Sequence, residues 1–213
     1  MKNLFNSTRT LFSCQRKLWH LLTPLPLTHY PNTDKLIMVL EKKAPLAKSN
    51  NEKAKMITHP IAPVFDKDSR VLILGSFPSV KSREEGFFYG HPQNRFWKVT
   101  SSIFSEDTPV TVSEKKSFLL RNHIALWDVI GSCEIDGSSD SSIRNVTVND
   151  ITTILESADI KAIYLNGRKA HQLYQKYLFP TVRRDGICLP STSPANASWS
   201  LERLTEAWKE IKF

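Results

Sequence analysis

The chain has 213 residues, 40% of them apolar, a formal net charge of +8 and a pI near 9.4, which suits one domain with an appendage and leaves enough apolar side chains for a core. The charge is unevenly held: residues 1–55 carry 10 Lys/Arg against 3 Asp/Glu, while the other 158 carry 19 against 18, so basicity speaks for a tail and not for the body. Cys14, Cys133 and Cys188 are too few and too scattered for a disulfide framework or a four-cysteine cluster. The six histidines show no His-Glu-x-x-His or His-x-Glu spacing, so neither a metal nor any other cofactor is expected.

Residues 1–56 lack periodicity, contain Pro24, Pro26, Pro31 and Pro45, and have no acidic residue before Asp34. They read as a basic extension without a core of its own, with disorder expected. The run Leu18–Leu27 is short and broken by proline, so no membrane span is expected. A targeting segment, a basic arm and an upstream misread start, with Met38 or Met56 as the true one, all remain open.

From His59 the chain alternates strand and helix signals, which predicts a parallel sheet covered by helices. Arg70–Gly75 is the first strand, and its apolar Val71-Leu-Ile-Leu74 run predicts burial on both faces. The segment from Gly75 to Asn94 reads as a loop. A helix follows over Gln93–Phe104, with Phe96, Val99 and Ile103 on one stripe. Thr111 and Glu114 have capping-box spacing and open a helix to about Asn122. Ile124–Ile130 is the second strand, Gly131–Ser142 a loop, Asn149–Ser157 a short helix and Lys161–Leu165 the third strand. Asn166-Gly167 turns into a helix ending near Phe179, and Gly186–Leu189 is the fourth strand. A loop at Pro190–Ala197 precedes a last helix with Leu201, Leu204, Trp208 and Ile211 as its core stripe.

Open α/β sheets hold ligands beyond the carboxyl ends of their strands, which places function between Gly75 and Asn94. Gly75-Ser-Phe-Pro-Ser79 lacks the second glycine and the Gly-Lys-Ser/Thr ending of a P-loop and is no dinucleotide fingerprint. It either presents backbone amides and the flat Phe77 to a ligand or merely ends the strand. Phe87, Phe88 and Tyr89 are either core or a stacking platform, and such stacking is worth ~1–3 kcal/mol per base. Asn94 is either a helix N-cap or a neutral amide that holds a water or a leaving group. Ser191-Thr-Ser-Pro-Ala-Asn196 offers hydroxyls, amides and a helix start of the kind that hold phosphate, or else an elaborate cap. Asp128 is a carboxylate in an apolar strand, facing either a ligand or a structural partner.

Taken together, these residues resemble the hypoxanthine-DNA (deoxyinosine) glycosylase family of the uracil-DNA glycosylase superfamily. The motifs that carry the resemblance are His59-Pro-Ile61, Gly75-Ser-Phe-Pro-Ser79, Gly90-His-Pro-Gln-Asn-Arg-Phe-Trp97, Ala125-Leu-Trp-Asp-Val-Ile130, Gly137-Ser-Ser-Asp-Ser141 and Leu189-Pro-Ser-Thr-Ser-Pro-Ala-Asn196, in that order. The resemblance covers residues 57–213 and implies a three-layer α/β/α fold with a central, mainly parallel four-stranded sheet. It implies a monofunctional glycosylase that releases hypoxanthine from deoxyinosine in double-stranded DNA containing a deaminated base, as a monomer, in the cytoplasm beside the nucleoid if the source is prokaryotic; a mismatch-specific uracil-DNA glycosylase and a catalytically silent nucleic-acid-binding relative are the alternatives. Most relatives carry Asp, Asn or Glu where Phe77 stands, and the family implies that Asn94 takes over catalysis. Gly75, Ser76, Phe77, Pro78, Phe88, Tyr89 and Asp128 are then expected around the base, with Phe77 and one of Phe87, Phe88 or Tyr89 sandwiching it. Ser191, Thr192, Ser193, Pro194, Ala195 and Asn196 are expected on the DNA.

Overall fold

A computed structural model describes residues 56–212; the expectations for the N-terminal extension lie outside the described residues. The elements in chain order are β1 (Met56–Thr58), β2 (Val71–Gly75), α1 (Val80–Glu85), α2 (Phe96–Phe104), α3 (Val112–Arg121), β3 (Ile124–Asp128), β4 (Ile130–Glu134), β5 (Arg144–Val148), α4 (Thr152–Ser157), β6 (Ala162–Asn166), α5 (Arg168–Leu173), β7 (Gly186–Leu189) and α6 (Leu201–Trp208). Between α5 and β7 the chain continues through a π-turn at Tyr174–Leu178 and a short helix at Phe179–Val182.

Four parallel strands in the order β3-β2-β6-β7 make the main sheet. Strand β2 lies between partners on both sides, and all of its residues are buried. Val71 and Ile73 pack on one face with Phe96, Phe118, Leu204 and Trp208, whereas Leu72 and Leu74 pack on the other with Ile130, Ile154, Leu173 and Tyr174. The period-two alternation of a strand thus feeds two separate cores, which gives the three layers. The chain runs from β2 to β3 on one side and later returns to β6 on the other, so the order reverses at β2 and a crevice opens beyond its end.

Local chemistry sets the helix ends. Thr111 accepts from the Glu114 amide while the Glu114 carboxylate accepts from the amides of Thr111 and Val110, a complete capping box worth about 1 kcal/mol. Leu204, Trp208 and Ile211 are fully buried, whereas Leu201 at the start of α6 is 36% exposed and leaves the stripe.

Two segments expected as loops are ordered otherwise. Val80–Glu85 is a helix, started by Ser79, whose hydroxyl accepts from the Ser82 amide. Ile130–Glu134 is a strand that pairs antiparallel with β1 on one side and β5 on the other, forming a small second sheet. The expected strand Ile124–Ile130 is therefore two strands, broken at Val129. Asn149 holds the break by donating through Nδ2 to the carbonyls of both Asp128 and Ile130.

Candidate active site

The main sheet places four functional segments side by side. Register pairs Gly75 with Asp128 across β2 and β3, and Asn166 with Leu189 across β6 and β7. A cavity of about 480 Å³ opens beyond these strand ends, within the ~300–1,000 Å³ usual for small-molecule sites. Gly75, Ser76, Phe77, Pro78, Tyr89, Asn94 and Asp128 all line it, as do Ser191 to Ala195.

At its floor, Asp128 is 4% exposed, and its Oδ2 accepts from His59 Nε2 at 2.9 Å. The opposite ring nitrogen, Nδ1, accepts from the Ile61 amide at 3.1 Å, which fixes the proton on Nε2. His59 reaches this position because its segment crosses the end of β3: the His59 amide donates to the Gly131 carbonyl, and Val64 bridges Leu126 in both directions. The second carboxylate oxygen lies over Gly75, where an added Cβ would meet Asp128 Oδ1 at 2.1 Å and the Tyr89 hydroxyl at 3.3 Å. The strand end is glycine because the carboxylate occupies the space of a side chain.

Tyr89 enters from a left-handed backbone turn (φ 55), a strained conformation costing ~1–2 kcal/mol in a non-glycine residue. Its ring stacks on Phe96 at 4.1 Å, and its buried hydroxyl has no hydrogen-bond partner among the described residues. The neighbouring Asn166 amide is already engaged by Thr192 through both Nδ2 and Oδ1. Burial first, and then the charge of Asp128, push the phenol upward from its ordinary pKa, so it remains a donor.

Asn94 is half-buried on the wall. Its Oδ1 accepts from the Phe96 amide at 3.0 Å one residue ahead of the α2 N-cap, Arg95, and its Nδ2 makes no hydrogen bond among the described residues. The next residue ties this wall to the 191–196 loop. Arg95 donates to the carbonyls of Thr192, Ser193 and Asn196, at 3.4, 2.7 and 3.0 Å, and to that of Trp199. These partners are carbonyls, so no carboxylate neutralises the guanidinium in that set. Gly167 (φ 97) lets the loop close on β6, since an added Cβ would stand 2.8 Å from Ser191 Cβ.

The aromatic platform differs from expectation. Phe87 and Phe88 are 1% and 2% exposed and pack in the core, with Phe87 stacked on Trp97 and the Trp97 indole donating to the Phe88 carbonyl. Neither lines the cavity, so the aromatic walls are Phe77 and Tyr89. Asn196 also lies off the cavity, with its Nδ2 donating to the Ser191 carbonyl. His59, Arg95, Asn166 and Asp140 belong to the site or its support without having been assigned roles from sequence. Asp140, on the β4–β5 connection, accepts from the Ser76 hydroxyl at 2.9 Å and lines the mouth. Among the described residues no cluster of His, Cys, Asp and Glu is arranged to hold a metal ion, and no helix is long and apolar enough to cross a membrane.

A strand-end pocket with an acceptor, an unpartnered donor and two aromatic walls suits a planar heterocycle. Residues 62–212 match the model of the uracil DNA glycosylase superfamily, and the chain belongs to that superfamily. It is 35% identical over 161 residues to a hypoxanthine DNA glycosylase of Methanosarcina acetivorans, covering 73% of this chain and 98% of the relative. A hypoxanthine DNA glycosylase of Methanosarcina barkeri is 33% identical over 70% of this chain and 93% of its own. Among solved structures, the solution NMR structure of a candidate uracil DNA glycosylase from Methanosarcina acetivorans superimposes with a TM-score of 0.62 at 30% identity, covering 74% of this chain and 99% of the other. Superfamily membership carries the expected fold and makes DNA the substrate class.

Proposed function

We propose that the chain is a monofunctional DNA glycosylase that releases hypoxanthine from deoxyinosine in double-stranded DNA, as a step of base excision repair, with residues 57–213 as the catalytic domain acting as a monomer. The names of the two Methanosarcina relatives support the reaction. The choice of base rests on one observation: Asp128 Oδ1 and the Tyr89 hydroxyl meet over Gly75. Hypoxanthine presents an N1–H donor beside an O6 acceptor, so the carboxylate accepts from N1 and the phenol donates to O6. Adenine presents the reverse pattern: its N1 acceptor faces the acceptor-only carboxylate and leaves it unpaired, which is the basis of the discrimination.

The damaged nucleotide leaves the stack at a cost of a few kcal/mol, least for a mispaired base. It enters against Phe77, with its edge toward Asp128 Oδ1 and the Tyr89 hydroxyl. The free Asn94 amide, which cannot act as a base near neutral pH, works by position on the departing base or the attacking water. Residues 191–195 take the flanking phosphates, with the Arg95 charge behind them. Lys81, on the rim, is paired with Glu84, whose hydrogen bond and charge raise the pKa of the amine. It stays protonated and is a poor Schiff-base nucleophile, which supports an enzyme that leaves an abasic site without nicking the strand.

Uracil carries the same N–H and C=O edge, and the structural relative is described as a candidate uracil DNA glycosylase; uracil release is the second reading. The test is base release from matched duplexes carrying one inosine, one uracil or neither, with heat and alkali revealing abasic sites, for the wild type and Asn94→Ala. Inosine-selective release that collapses in the variant is expected. Release that survives Asn94→Ala removes Asn94 from the chemistry, and stronger release of uracil selects the second reading.

A further inference from the structure

The residue that stands at 77 is phenylalanine, and the cavity still needs a proton acceptor for water. Asn94 does not supply one, because its Oδ1 accepts from the Phe96 amide and its free group is a donor. His91 lines the cavity, but its Nδ1 accepts from the Gln93 amide at 3.2 Å, which leaves Nε2 carrying the proton. Asp128 has Oδ2 committed to His59 and Oδ1 over Gly75 at the floor. The remaining carboxylate on the wall is Asp140.

Asp140 lines the cavity from the β4–β5 connection, apart from the Asp128 floor. Its loop is tied to the segment carrying Phe77 at three points. Ser76 Oγ donates to Asp140 Oδ1 at 2.9 Å, the Val80 amide donates to Ser138 Oγ at 2.9 Å, and Arg83 donates to the carbonyls of Pro78 and Gly137. The β4–β5 connection thus holds a carboxylate against the segment that carries Phe77.

Building on the glycosylase reading, we propose that Asp140 is the general base that accepts a proton from the water attacking C1′. The water oxygen bonds to C1′ as the C1′–N9 bond breaks, and that bond's electron pair leaves with the base as the hypoxanthine anion. Asp140 takes one water proton, which passes through solvent to the departed base. The products are neutral hypoxanthine and an abasic sugar with a C1′ hydroxyl. Positioned general bases contribute ~10²–10⁴-fold. Desolvation by the surrounding cleft and the negative Asp128 move the Asp140 carboxyl above its ordinary range, against Ser76 and Lys169, which lower it. Because Asp140 is exposed by area, this upward movement is moderated by water. Lys81, Arg83 and His91 are the other charged or titratable groups around the mouth.

A base must be deprotonated, so the rate falls as pH falls through the pKa of Asp140. The test is single-turnover release from inosine duplexes across pH for the wild type, Asp140→Asn, Ser76→Ala and His91→Gln, with duplex binding and thermal unfolding measured in parallel. Asp140→Asn keeps an acceptor for Ser76; it is expected to lose about 100-fold or more in rate, to lose the acid limb and to keep its affinity for the duplex. Ser76→Ala removes the hydrogen bond that lowers the Asp140 pKa and is expected to move the acid limb to higher pH. A near-wild-type rate in Asp140→Asn, or an acid limb that persists there and vanishes in His91→Gln, overturns the assignment. A wild type silent on every duplex overturns the glycosylase reading and this inference with it, whereas a wild type that releases inosine while Asp140→Asn keeps its acid limb overturns the inference alone.

Discussion

His59 and Asp128 are 69 residues apart in sequence and joined by a 2.9 Å hydrogen bond whose direction is set from outside the pair. The Ile61 amide claims Nδ1 of the imidazole and leaves Nε2 to donate to the carboxylate. One carboxylate oxygen is thereby held and the other left to the pocket. Both side chains are nearly excluded from solvent, at 2% and 6% exposure, so the imidazole is a positioning group for Asp128.

His59→Ala strands the carboxylate without its buried donor. A hydrogen bond to a charged group contributes ~1.5–3 kcal/mol, and a loss of stability of about that size is expected by thermal or denaturant unfolding. The functional readout is selectivity: release of inosine over other bases is expected to weaken more than binding of undamaged duplex. His59→Gln, which can still donate, is expected to restore part of it. Unchanged selectivity in His59→Ala would show that Asp128 needs no help to stay in place.

Asp128→Ala removes the carboxylate proposed to accept from the N1 hydrogen of hypoxanthine. We expect the preference for inosine-containing over adenosine-only duplex to collapse, measured as a ratio of kcat/KM. Retention of the wild-type ratio would refute the reading of the base by this carboxylate.

Tyr89→Phe separates folding from function. The hydroxyl has no partner among the described residues, so its removal relieves a buried unsatisfied group and is expected to leave the unfolding midpoint unchanged or raised. If the phenol donates to O6, release of inosine falls by about tenfold or more, corresponding to ~1.4 kcal/mol of lost transition-state stabilisation. A variant as active as the wild type would leave O6 to another donor.

Gly75→Ala places a methyl group 2.1 Å from Asp128 Oδ1. The backbone φ is not at fault here; the space is already taken. The carboxylate must move, and the expected result is loss of base release together with a lower unfolding midpoint. Wild-type activity in this variant would mean that the strand end adjusts without disturbing the pocket.

Arg95→Lys replaces a planar fork that bonds four carbonyls by a single ammonium, and is therefore not conservative. Weaker duplex binding is expected from titrations at several ionic strengths, with the dependence on salt kept because the charge is conserved, along with slower base release. Equal affinity at every salt concentration would detach this arginine from the grip on DNA.

The parts of the fold legible in the sequence were those with dense local signals. The all-apolar run Val71–Leu74, the Thr111/Glu114 box and the strand Gly186–Leu189 each announce themselves within a few residues. The small sheet does not, because β5 is mostly exposed and β4 includes Gly131 and Ser132, which locally resemble a turn; its strands are fixed by partners far away in sequence. Within the site, Asp128 and Asn94 stand out as polar residues against apolar or aromatic neighbours. The partner of Asp128 could not be read from sequence, since a lone histidine followed by proline has no local pattern that points across 69 residues. Phe87, Phe88 and Tyr89 look alike in sequence, and only the left-handed backbone at Tyr89 separates the one on the cavity wall from the two in the core.

Arg95 also bears on how this enzyme can be re-engineered. The cavity wall that carries Asn94 and the 191–196 loop are fastened together by the residue that follows Asn94, so the two do not form independent modules. A chimera importing only residues 190–199 from a relative inherits a foreign set of carbonyl positions for an unchanged guanidinium. Segments 90–97 and 190–199 are best exchanged as one cassette.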